Sequence, residues 1–386
     1  MKKTIGVIFG GQSAEHEVSI ITAHVPIIQS LLALDKYEVI PIYIAKDGSW
    51  YSDQQLNKLS FFQSPGWEEN LKKFKKLQVS LNNGFEIIWP GLRSIAKKID
   101  IVFPAMHGTN GEDGSLMGLL RMANVPFVGC DVAASAVAMD KALTKQVLES
   151  QGILVTPYVW FTASEWEKSK DELLTDIKKL SWPLFIKPVH LGSSIGISKV
   201  KNETELINGI EVALHYDDKV LVEDGVQNLI EVTLPLMGNE DIRVAEVERP
   251  LNKTEFFDFS DKYLSGGTKS EGANSLYSEI PANIDDNLIN QVKELGKRTF
   301  KILGCTGIVR VDFLINKSSG KIYVNEVNTL PGSLYHHNWR KAGVSNIELV
   351  ENLVILAEQH FTARQRLTFS FQSDILKKVS GSKMVK

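Results

Sequence analysis

The fold is decided by the segment TIGVIFGGQSAEHEVS, residues 4–19. Its first six residues, 4–9, are mostly apolar and are followed by Gly10-Gly11, the pattern of a short buried strand that enters a turn. Residues 17–34 show the spacing of an amphipathic helix, and residues 37–44 form a second apolar run. A strand, a helix and a second strand make a βαβ unit, which predicts a parallel sheet and the α/β class.

Two further units follow. Strands are predicted at 183–187 and 219–223, with a helix after Asp140 and another near 203–214. The last unit has predicted strands near 229–236, 242–247, 306–315 and 321–326, and helices near 284–302 and 345–361. We therefore expect an N-terminal domain over 1–131, a central domain over 132–225, a C-terminal domain over 226–365 and a tail over 366–386. The weakly periodic stretch 46–98 is expected to be a surface insertion.

Composition narrows the class of protein. The chain has 386 residues, 43% of them hydrophobic, which favours two or three domains. A net charge of -3 argues against a nucleic-acid partner, whose binding face should be clearly basic. Cys130 and Cys305 lie far apart without metal-ligand spacing, so we expect a reducing compartment. The first apolar run is too short for a signal peptide, and no run approaches the roughly 18 residues of a membrane span. The sequence predicts a cytoplasmic protein without a membrane partner.

Two segments place reactive groups at the ends of predicted strands. GGQSAEHEVS, residues 10–19, puts glycines and Glu15 where a helix begins. A carboxylate there can hold a substrate ammonium, but acidic residues also occur at helix starts because they complement the helix dipole. HGTNGEDGS, residues 107–115, follows the predicted strand that ends at Phe103. A capped loop explains Asp113 but leaves His107 unexplained.

A third segment, KPVHLGSSIG at residues 187–196, joins a lysine at the end of a buried strand to a Gly/Ser loop. Backbone N–H groups and hydroxyls in such a loop can surround phosphate oxygens, and Lys187 adds charge. It is not a Walker A loop, and a plain glycine-rich turn is the alternative.

The fourth region combines RVDF, residues 310–313, with NEVNTLPG, residues 325–332. Strand alternation puts Arg310 and Asp312 on one face, and Glu326 and Asn328 on one face of the second strand. If the two strands are antiparallel neighbours, the four polar groups converge. Their oxygens suit Mg²⁺, although an exposed sheet face is the simpler alternative.

Taken in order, these segments resemble the D-alanine–D-alanine ligase family of the ATP-grasp superfamily. MDK at 139–141 and KYLS at 262–265 add to the pattern, and the resemblance covers about residues 4–362 apart from 46–98. It implies a three-domain ATP-grasp fold: a Rossmann-like N-terminal domain with a parallel sheet, and two α+β domains that hold ATP between them. It also implies two Mg²⁺ ions, with Mn²⁺ as an alternative, small amino-acid substrates and a homodimer.

The resemblance assigns roles to residues of this chain. Glu15 would bind the ammonium of the first D-alanine and form a triad with Ser193 and Tyr263. Arg310 would stabilise the transferring phosphoryl group, and the Gly332 N–H would act in an oxyanion site. The other expected residues are His107 and His337 for substrate, Lys141, Lys187, Ser194, Glu223, Glu231 and Lys262 for ATP, and Asp312, Glu326 and Asn328 for metal.

The implied reaction activates one D-alanine as an acyl phosphate, which the amine of a second D-alanine attacks. Water would destroy this intermediate, so a lid over about 258–280 is expected to close on it. The product would supply peptidoglycan synthesis. The alternatives are a ligase with D-serine or D-lactate as acceptor, a nucleotide-binding regulator without catalysis, and, less in keeping with the motifs, a biotin-carboxylase-like enzyme.

Three positions depart from the family pattern. The family usually has a ribose-binding glutamate near Leu229, and here Glu231 lies two residues on, on the same strand face. The lid sequence over 265–272 is unusual. Near the position of His337 the family commonly has a serine that helps to grip an amino-acid carboxylate, and a histidine there leaves the acceptor open, whereas Tyr263 favours an amine acceptor.

Overall fold

The structure is a computed structural model that describes residues 2–251 and 278–375. Three four-stranded sheets follow one another along the chain, and two smaller sheets accompany them. The mixed α/β architecture predicted from the sequence is confirmed.

The N-terminal sheet has the order β3-β2-β1-β7, and β1 is parallel to both β2 and β7. The predicted βαβ unit is therefore confirmed. The predicted helix over 17–34 is interrupted by a π-helical turn at Ala23–Ile28, where Pro26 lacks the N–H that a regular helix needs. The elements of this part are β1 (Lys3–Gly10), α1 (His16–Thr22), α2 (Gln29–Leu34), β2 (Tyr37–Ile44), β3 (Trp50–Tyr51), α3 (Leu59–Gln63), α4 (Trp67–Leu71), β4 (Gln78–Ser80), β5 (Phe85–Trp89), β6 (Ile95–Ile99), β7 (Ile101–Pro104) and α5 (Ser115–Met122).

The stretch 46–98 is more than a surface insertion. It contributes β3, α3, α4 and the antiparallel sheet β4-β5-β6. Phe85 and Ile87 are fully buried and pack in one cluster with Ile42 and Val102 of the main sheet. Its elements are short and most of them bury only one or two residues, so the periodicity is weak in the sequence although Phe85 and Ile87 are core.

The central sheet is antiparallel, in the order β10-β9-β11-β8. The Asp140 carboxylate accepts a hydrogen bond from the backbone N–H of Leu143 at 2.8 Å, which starts the helix that carries Lys141. The elements are α6 (Val132–Met139), α7 (Lys141–Ser150), β8 (Tyr158–Thr162), α8 (Ala163–Lys168), α9 (Lys170–Ile177), β9 (Leu184–Pro188), β10 (Ser198–Val200), α10 (Glu203–Tyr216) and β11 (Lys219–Asp224).

The third sheet has the order β13-β12-β16-β17 and is also antiparallel. The predicted strands and helices of this part are all present, with shifts of a few residues at their ends. The elements are β12 (Leu229–Gly238), β13 (Ile242–Val244), β14 (Arg249–Pro250), β15 (Ser278–Glu279), α11 (Asp286–Ile302), β16 (Gly307–Asn316), β17 (Ile322–Asn328), α12 (His336–Lys341) and α13 (Asn346–Gln365).

The last helix returns to the N-terminal sheet. Leu353 and Val354 of α13 are fully buried in the same core cluster as Ile5 and Phe9 of β1. Contacts therefore cross the expected boundary between the first and third domains. The domain limits at 131/132, 225/226 and 365/366 stay predictions.

One segment corrects the expectation about membrane-spanning length. Among the described residues, His16–Leu34 has the length and apolar composition of a membrane-spanning helix. In the structure 61% of its apolar window is buried within the protein, and its Ile20, Ala23 and Ile27 pack in the core with β1. A core helix has the same properties.

Candidate active site

The strands β16 and β17 bring the four predicted polar groups together. They are antiparallel, and Arg310 lies opposite Asn328 while Asp312 lies opposite Glu326. The Arg310 guanidinium donates two hydrogen bonds to the Asp312 carboxylate, Nε to Oδ1 and Nη2 to Oδ2, both at 2.6 Å. Asn328 Nδ2 donates to Asp312 Oδ2 at 3.3 Å, and Arg310 Nη2 lies 3.7 Å from Glu326 Oε1. The expected convergence is confirmed.

A shift in register adds a residue that alternation did not predict. The β16–β17 pairing passes from Asp312–Glu326 to Phe313–Val324, which leaves Asn325 unpaired in a bulge. Asn325 and Glu326 can then face the same cavity although they are consecutive. Lys187 Nζ donates to Asn325 Oδ1 at 3.1 Å, so the bulge connects the third sheet to the central sheet.

A buried ion-pair group lies behind this contact. Glu223, 2% exposed, is 2.5 Å from Lys187 Nζ and 2.8 Å from Lys145 Nζ. Burial alone would raise the Glu223 pKa, but the two lysines lower it to about 2. Burial opposes the charge on Lys187 as well, and attraction to Glu223 outweighs it and raises the Lys187 pKa. No sequence motif singled out Lys145, one helical turn after Lys141.

A cavity of about 380 Å³ lies between the central and third sheets, and Lys187, Glu223 and Asn325 are among the residues that line it. Leu229 and Glu231 both line it, as the two-residue spacing on β12 predicted. The predicted residues in its wall are Lys141, Lys187, Ser194, Glu223, Glu231, Arg310, Asp312 and Glu326. We call it the large cavity.

A second space of about 40 Å³, the small cavity, adjoins it. Ser193 Oγ donates a hydrogen bond to Glu15 Oε1, which joins the Gly/Ser loop to the start of α1. Gly108 has a φ of 65°, and a Cβ there would lie 2.8 Å from Glu15 Oε2, so only glycine fits beside this carboxylate. The predicted residues in the wall are Glu15, His107, Lys141, Ser193, Arg310, Glu326, Asn328 and Gly332.

His107 is buried in the wall of the small cavity. Its Nε2 lies 2.8 Å from Thr22 Oγ1, and Thr22 Oγ1 accepts a hydrogen bond from the Ser333 N–H at 2.9 Å. The Thr22 hydroxyl can donate its own proton to Nε2 when the imidazole proton is on Nδ1, and can accept from Nε2–H in the other tautomer. Burial lowers the His107 pKa to about 4, so the ring is neutral near pH 7.

Glu112 is a wall residue that the sequence analysis did not single out, although it lies in the HGTNGEDGS segment. Its Oε2 accepts from the Gly108 N–H at 2.8 Å, and its Oε1 from the Leu330 N–H at 3.3 Å. Burial and the nearby charge of Glu15 raise the Glu112 pKa to about 8. Its position depends on a tertiary contact with the 329–332 loop, which strand and helix patterns do not predict.

The two cavities meet. Lys141, Gly192, Arg310 and Glu326 line both of them. Lys141 Nζ donates to the Leu191 carbonyl at 2.6 Å, and burial lowers the Lys141 pKa. A group that passes from one cavity to the other would cross a wall that carries an ammonium and a guanidinium.

Asp113, His337 and the lid residues were also considered in the sequence, and the structure places neither Asp113 nor His337 in the lining of the two cavities. Asp113 caps the loop, accepting from the Asn110 and Ser115 N–H groups, so its simpler interpretation is confirmed. His337 is outside the lining of both cavities, and its Nε2 lies 3.1 Å from Glu248 Oε2. Lys262, Tyr263 and most of the lid region 258–280 lie outside the described residues.

The oxygen donors of β16 and β17 fit a divalent cation. The Asp312 and Glu326 carboxylates are paired across the strands, with the Asn328 amide beside them. Such hard oxygen ligands suit Mg²⁺, and Mn²⁺ accepts the same set. Asp312 is held by Arg310, so an ion at this place would share a carboxylate with the guanidinium.

Family models match nearly the whole chain. The model described as D-ala D-ala ligase N-terminus matches residues 4–130, and the one described as D-ala D-ala ligase C-terminus matches residues 147–355. The D-alanine--D-alanine ligase of Acetivibrio thermocellus is 38% identical over 93% of this chain and 97% of its own length. That of Thermosipho melanesiensis is 39% identical over 97% of this chain and 98% of its own length.

Solved structures agree. The VanG D-Ala:D-Ser ligase from Enterococcus faecalis superposes with a TM-score of 0.78 at 34% identity, covering 92% of this chain and 100% of its own. The D-alanine-D-alanine ligase from Coxiella burnetii gives 0.77 at 30% identity, covering 95% and 96%. The fold is that of the ATP-grasp ligases, and the chain belongs to the D-alanine–D-alanine ligase family.

Proposed function

We propose that this protein is an ATP-dependent ligase that joins two D-alanines through a D-alanyl phosphate and so supplies peptidoglycan synthesis. One observation carries the assignment: the large and small cavities share a wall that contains Lys141 and Arg310. Phosphoryl transfer from a nucleotide to a carboxylate requires two adjacent sites with cationic groups at the junction. Family membership supports the substrates.

The nucleotide would occupy the large cavity. Its size suits a ligand of that kind, and Lys187 and Lys141 present positive charge towards one end of it. Arg310 would stabilise the charge on the transferring phosphoryl group, because its guanidinium is fixed by Asp312 before the ligand arrives. Preorganisation of this kind reduces the reorganisation needed during transfer.

The first D-alanine would bind in the small cavity, with its ammonium on Glu15. Ser193 holds that carboxylate in place, and the neutral His107 adds polarity without repelling the ammonium. The Gly332 N–H would donate to the oxyanion that forms when the second amine attacks the acyl group. Exclusion of water from an acyl phosphate is the role proposed for the lid.

Asp312, Glu326 and Asn328 would hold two Mg²⁺ ions, or Mn²⁺, near the phosphates. Bound ions of this kind neutralise phosphate charge during transfer. The proposed roles of Lys262 and Tyr263, the homodimer and the cytoplasmic location stay predictions from the family resemblance and the composition.

The test is phosphate release from Mg-ATP with D-alanine alone, compared with D-alanine plus D-serine or D-lactate, with products identified by mass. We expect D-alanine alone to support turnover and the dipeptide mass to appear. Turnover that needs D-serine would assign a D-Ala:D-Ser ligase activity, as in the name of the Enterococcus faecalis relative. ATP binding without any amino-acid-stimulated phosphate release would overturn the ligase assignment.

A further inference from the structure

His190 is the first residue of the Gly/Ser loop, taken here as residues 190–196, but it is outside the lining of both cavities. Its side chain is 42% exposed, and it therefore has no place among the groups that would touch ATP or D-alanine. The loop that it opens carries Ser193, in the wall of the small cavity, and Ser194, in that of the large one. Whatever fixes His190 therefore acts on both sites.

The imidazole lies between two carboxylates from different elements. Its Nδ1 is 3.0 Å from Asp217 Oδ1, and its Nε2 is 3.4 Å from Asp140 Oδ2. The backbone N–H of His190 donates to Asp217 Oδ2 at 2.6 Å. We call these three residues, His190, Asp140 and Asp217, the His190 clamp.

Each carboxylate of the clamp belongs to an element that positions the site. Asp140 accepts from the Leu143 N–H at the start of α7, directly before Lys141, and from Lys219 Nζ at 2.7 Å. Asp217 ends α10, where its carboxylate also accepts from the Lys219 N–H at 3.3 Å. The clamp therefore joins the starts of α7 and β11 to the first residue of the loop.

Lys141 donates hydrogen bonds to the two residues that flank His190 in the chain. Its backbone N–H donates to the Val189 carbonyl at 3.3 Å, and its Nζ donates to the Leu191 carbonyl at 2.6 Å. Lys141, one of the residues that line both cavities, is thus held by the chain on either side of His190. A displacement of His190 would move the loop relative to the Lys141 ammonium.

We propose that His190 is a positioning residue for the proposed ligase reaction: by bridging Asp140 and Asp217 it holds the 190–196 loop against Lys141 in the geometry that binds the nucleotide phosphates. This proposal rests on the proposed function for its consequence in catalysis. Its consequence for nucleotide binding does not depend on which amino acids are joined.

The bridge requires a doubly donating ring. Neutral imidazole has one N–H, so both carboxylates receive a hydrogen bond only when the ring is protonated. The charged groups that face the ring are Asp140, Asp217, the neighbouring Asp218, and Lys219 on the far side of Asp140. Hydrogen bonds to Asp140 and Asp217 raise the His190 pKa to about 9. The bridge is complete below that pH and is lost as the pH rises through it.

The experiment measures the affinity for a fluorescent ATP analogue with Mg²⁺, by titration, together with steady-state KM for ATP. His190→Asn keeps one donor and should weaken nucleotide binding about tenfold, because small displacements of phosphate-binding groups are costly. His190→Arg keeps a cation with several donors and should restore most of the affinity. His215→Asn, on the exposed face of α10, is the matched control and should change nothing.

A pH series adds a readout that a merely structural role would not move. The wild-type affinity should weaken as the pH passes about 9, and that of His190→Arg should not show this step. Asp217→Asn serves as a second variant in case His190→Asn folds poorly, with circular dichroism melting as the check. Unchanged nucleotide affinity in folded His190→Asn and Asp217→Asn would overturn the proposal. If wild type binds the analogue but releases no phosphate with D-alanine, alone or paired with D-serine or D-lactate, the ligase assignment fails instead.

Discussion

The large and small cavities differ in what builds their walls. The large cavity takes its polar groups chiefly from strands: Lys187 from β9, Glu223 from β11, Glu231 from β12, and Arg310 and Asp312 from β16. The small cavity takes Glu15, His107, Ser193 and Gly332 from turns that belong to all three parts of the chain.

The difference has a physical consequence. Groups on strands are placed by backbone register before any contact between their side chains. Groups on turns depend on one another, as Glu15 does on Ser193 and His107 on Thr22. We expect substitutions in the large cavity to alter either the stability of the protein or its affinity for nucleotide. We expect substitutions in the small cavity to alter the turnover of the amino-acid substrate.

The largest expected effect is on stability, at the buried group behind the large cavity. Glu223→Gln leaves Lys145 and Lys187 buried without their counter-charge, which should cost about 3–5 kcal/mol of unfolding free energy. Denaturant unfolding measures it, with Glu211→Gln on the exposed face of α10 as control. A loss below about 1 kcal/mol would show that the strand framework tolerates the unpaired charges.

The same variant has a pH signature. The folded pKa of Glu223, about 2, lies below the ordinary value of about 4.3. Its stabilising contribution is therefore complete above pH 4.3 and is lost as the pH falls through 2. Wild type should lose stability across this window, and Glu223→Gln should lack that part of the slope.

The next largest effect is on turnover, where the two cavities meet. Arg310→Lys keeps the charge but cannot reproduce the two parallel hydrogen bonds to Asp312, so kcat should fall about 10²- to 10³-fold. Phosphate release with saturating substrates is the measurement. Arg243→Lys, an exposed arginine of β13 in the same sheet, should retain wild-type kcat. A decrease of less than tenfold would contradict the role given to the guanidinium.

A smaller effect, on kcat/KM for D-alanine, is expected from a substitution that changes only the small cavity. Glu15→Gln removes the charge that would hold the ammonium of D-alanine, and loss of such a bond costs about 1.5–3 kcal/mol, or about 10- to 100-fold in kcat/KM for D-alanine. The affinity for the ATP analogue should not change. Glu17→Gln is the matched control, because Glu17 pairs with Lys46 on the surface. Weaker nucleotide binding in Glu15→Gln would mean that the two cavities are not functionally separate.

The contrast also explains what the sequence could predict. The alternation in RVDF and NEVN placed Arg310 with Asp312 and Glu326 with Asn328, each pair on one strand face. Their convergence depended on antiparallel pairing of the two strands, which the structure confirms. Asn325 was missed because a bulge interrupts that regularity, and nothing in the sequence marks it.

Turn residues were located through the family resemblance more than through local pattern. Glu112 and Lys145 were missed because their importance comes from burial and from contacts with distant segments: Glu112 with Leu330, and Lys145 with Glu223. His337 contacts Glu248 and is outside the lining of the small cavity, and its expected place at the acceptor stays a prediction. Such contacts depend on the packing of the three parts, which no single segment encodes.

The smallest expected effect tests whether Glu231 can replace a ribose-binding glutamate at position 229, because the two positions share one face of β12. Glu231 and Leu229 line the large cavity two residues apart on β12, so a ribose hydroxyl within reach of one position is near the other. Glu231→Ala should weaken binding of the ATP analogue about 2- to 10-fold, the loss of roughly 0.5–1.5 kcal/mol for one partly solvated hydrogen bond. The double variant with Leu229→Glu should regain part of that affinity, and Glu240→Ala, exposed at the other end of β12, should have no effect. If Glu231→Ala binds the analogue as wild type does, the ribose is held elsewhere and Glu231 does not replace the usual glutamate. If the double variant does not regain affinity for the analogue, the cavity does not accept a carboxylate at position 229.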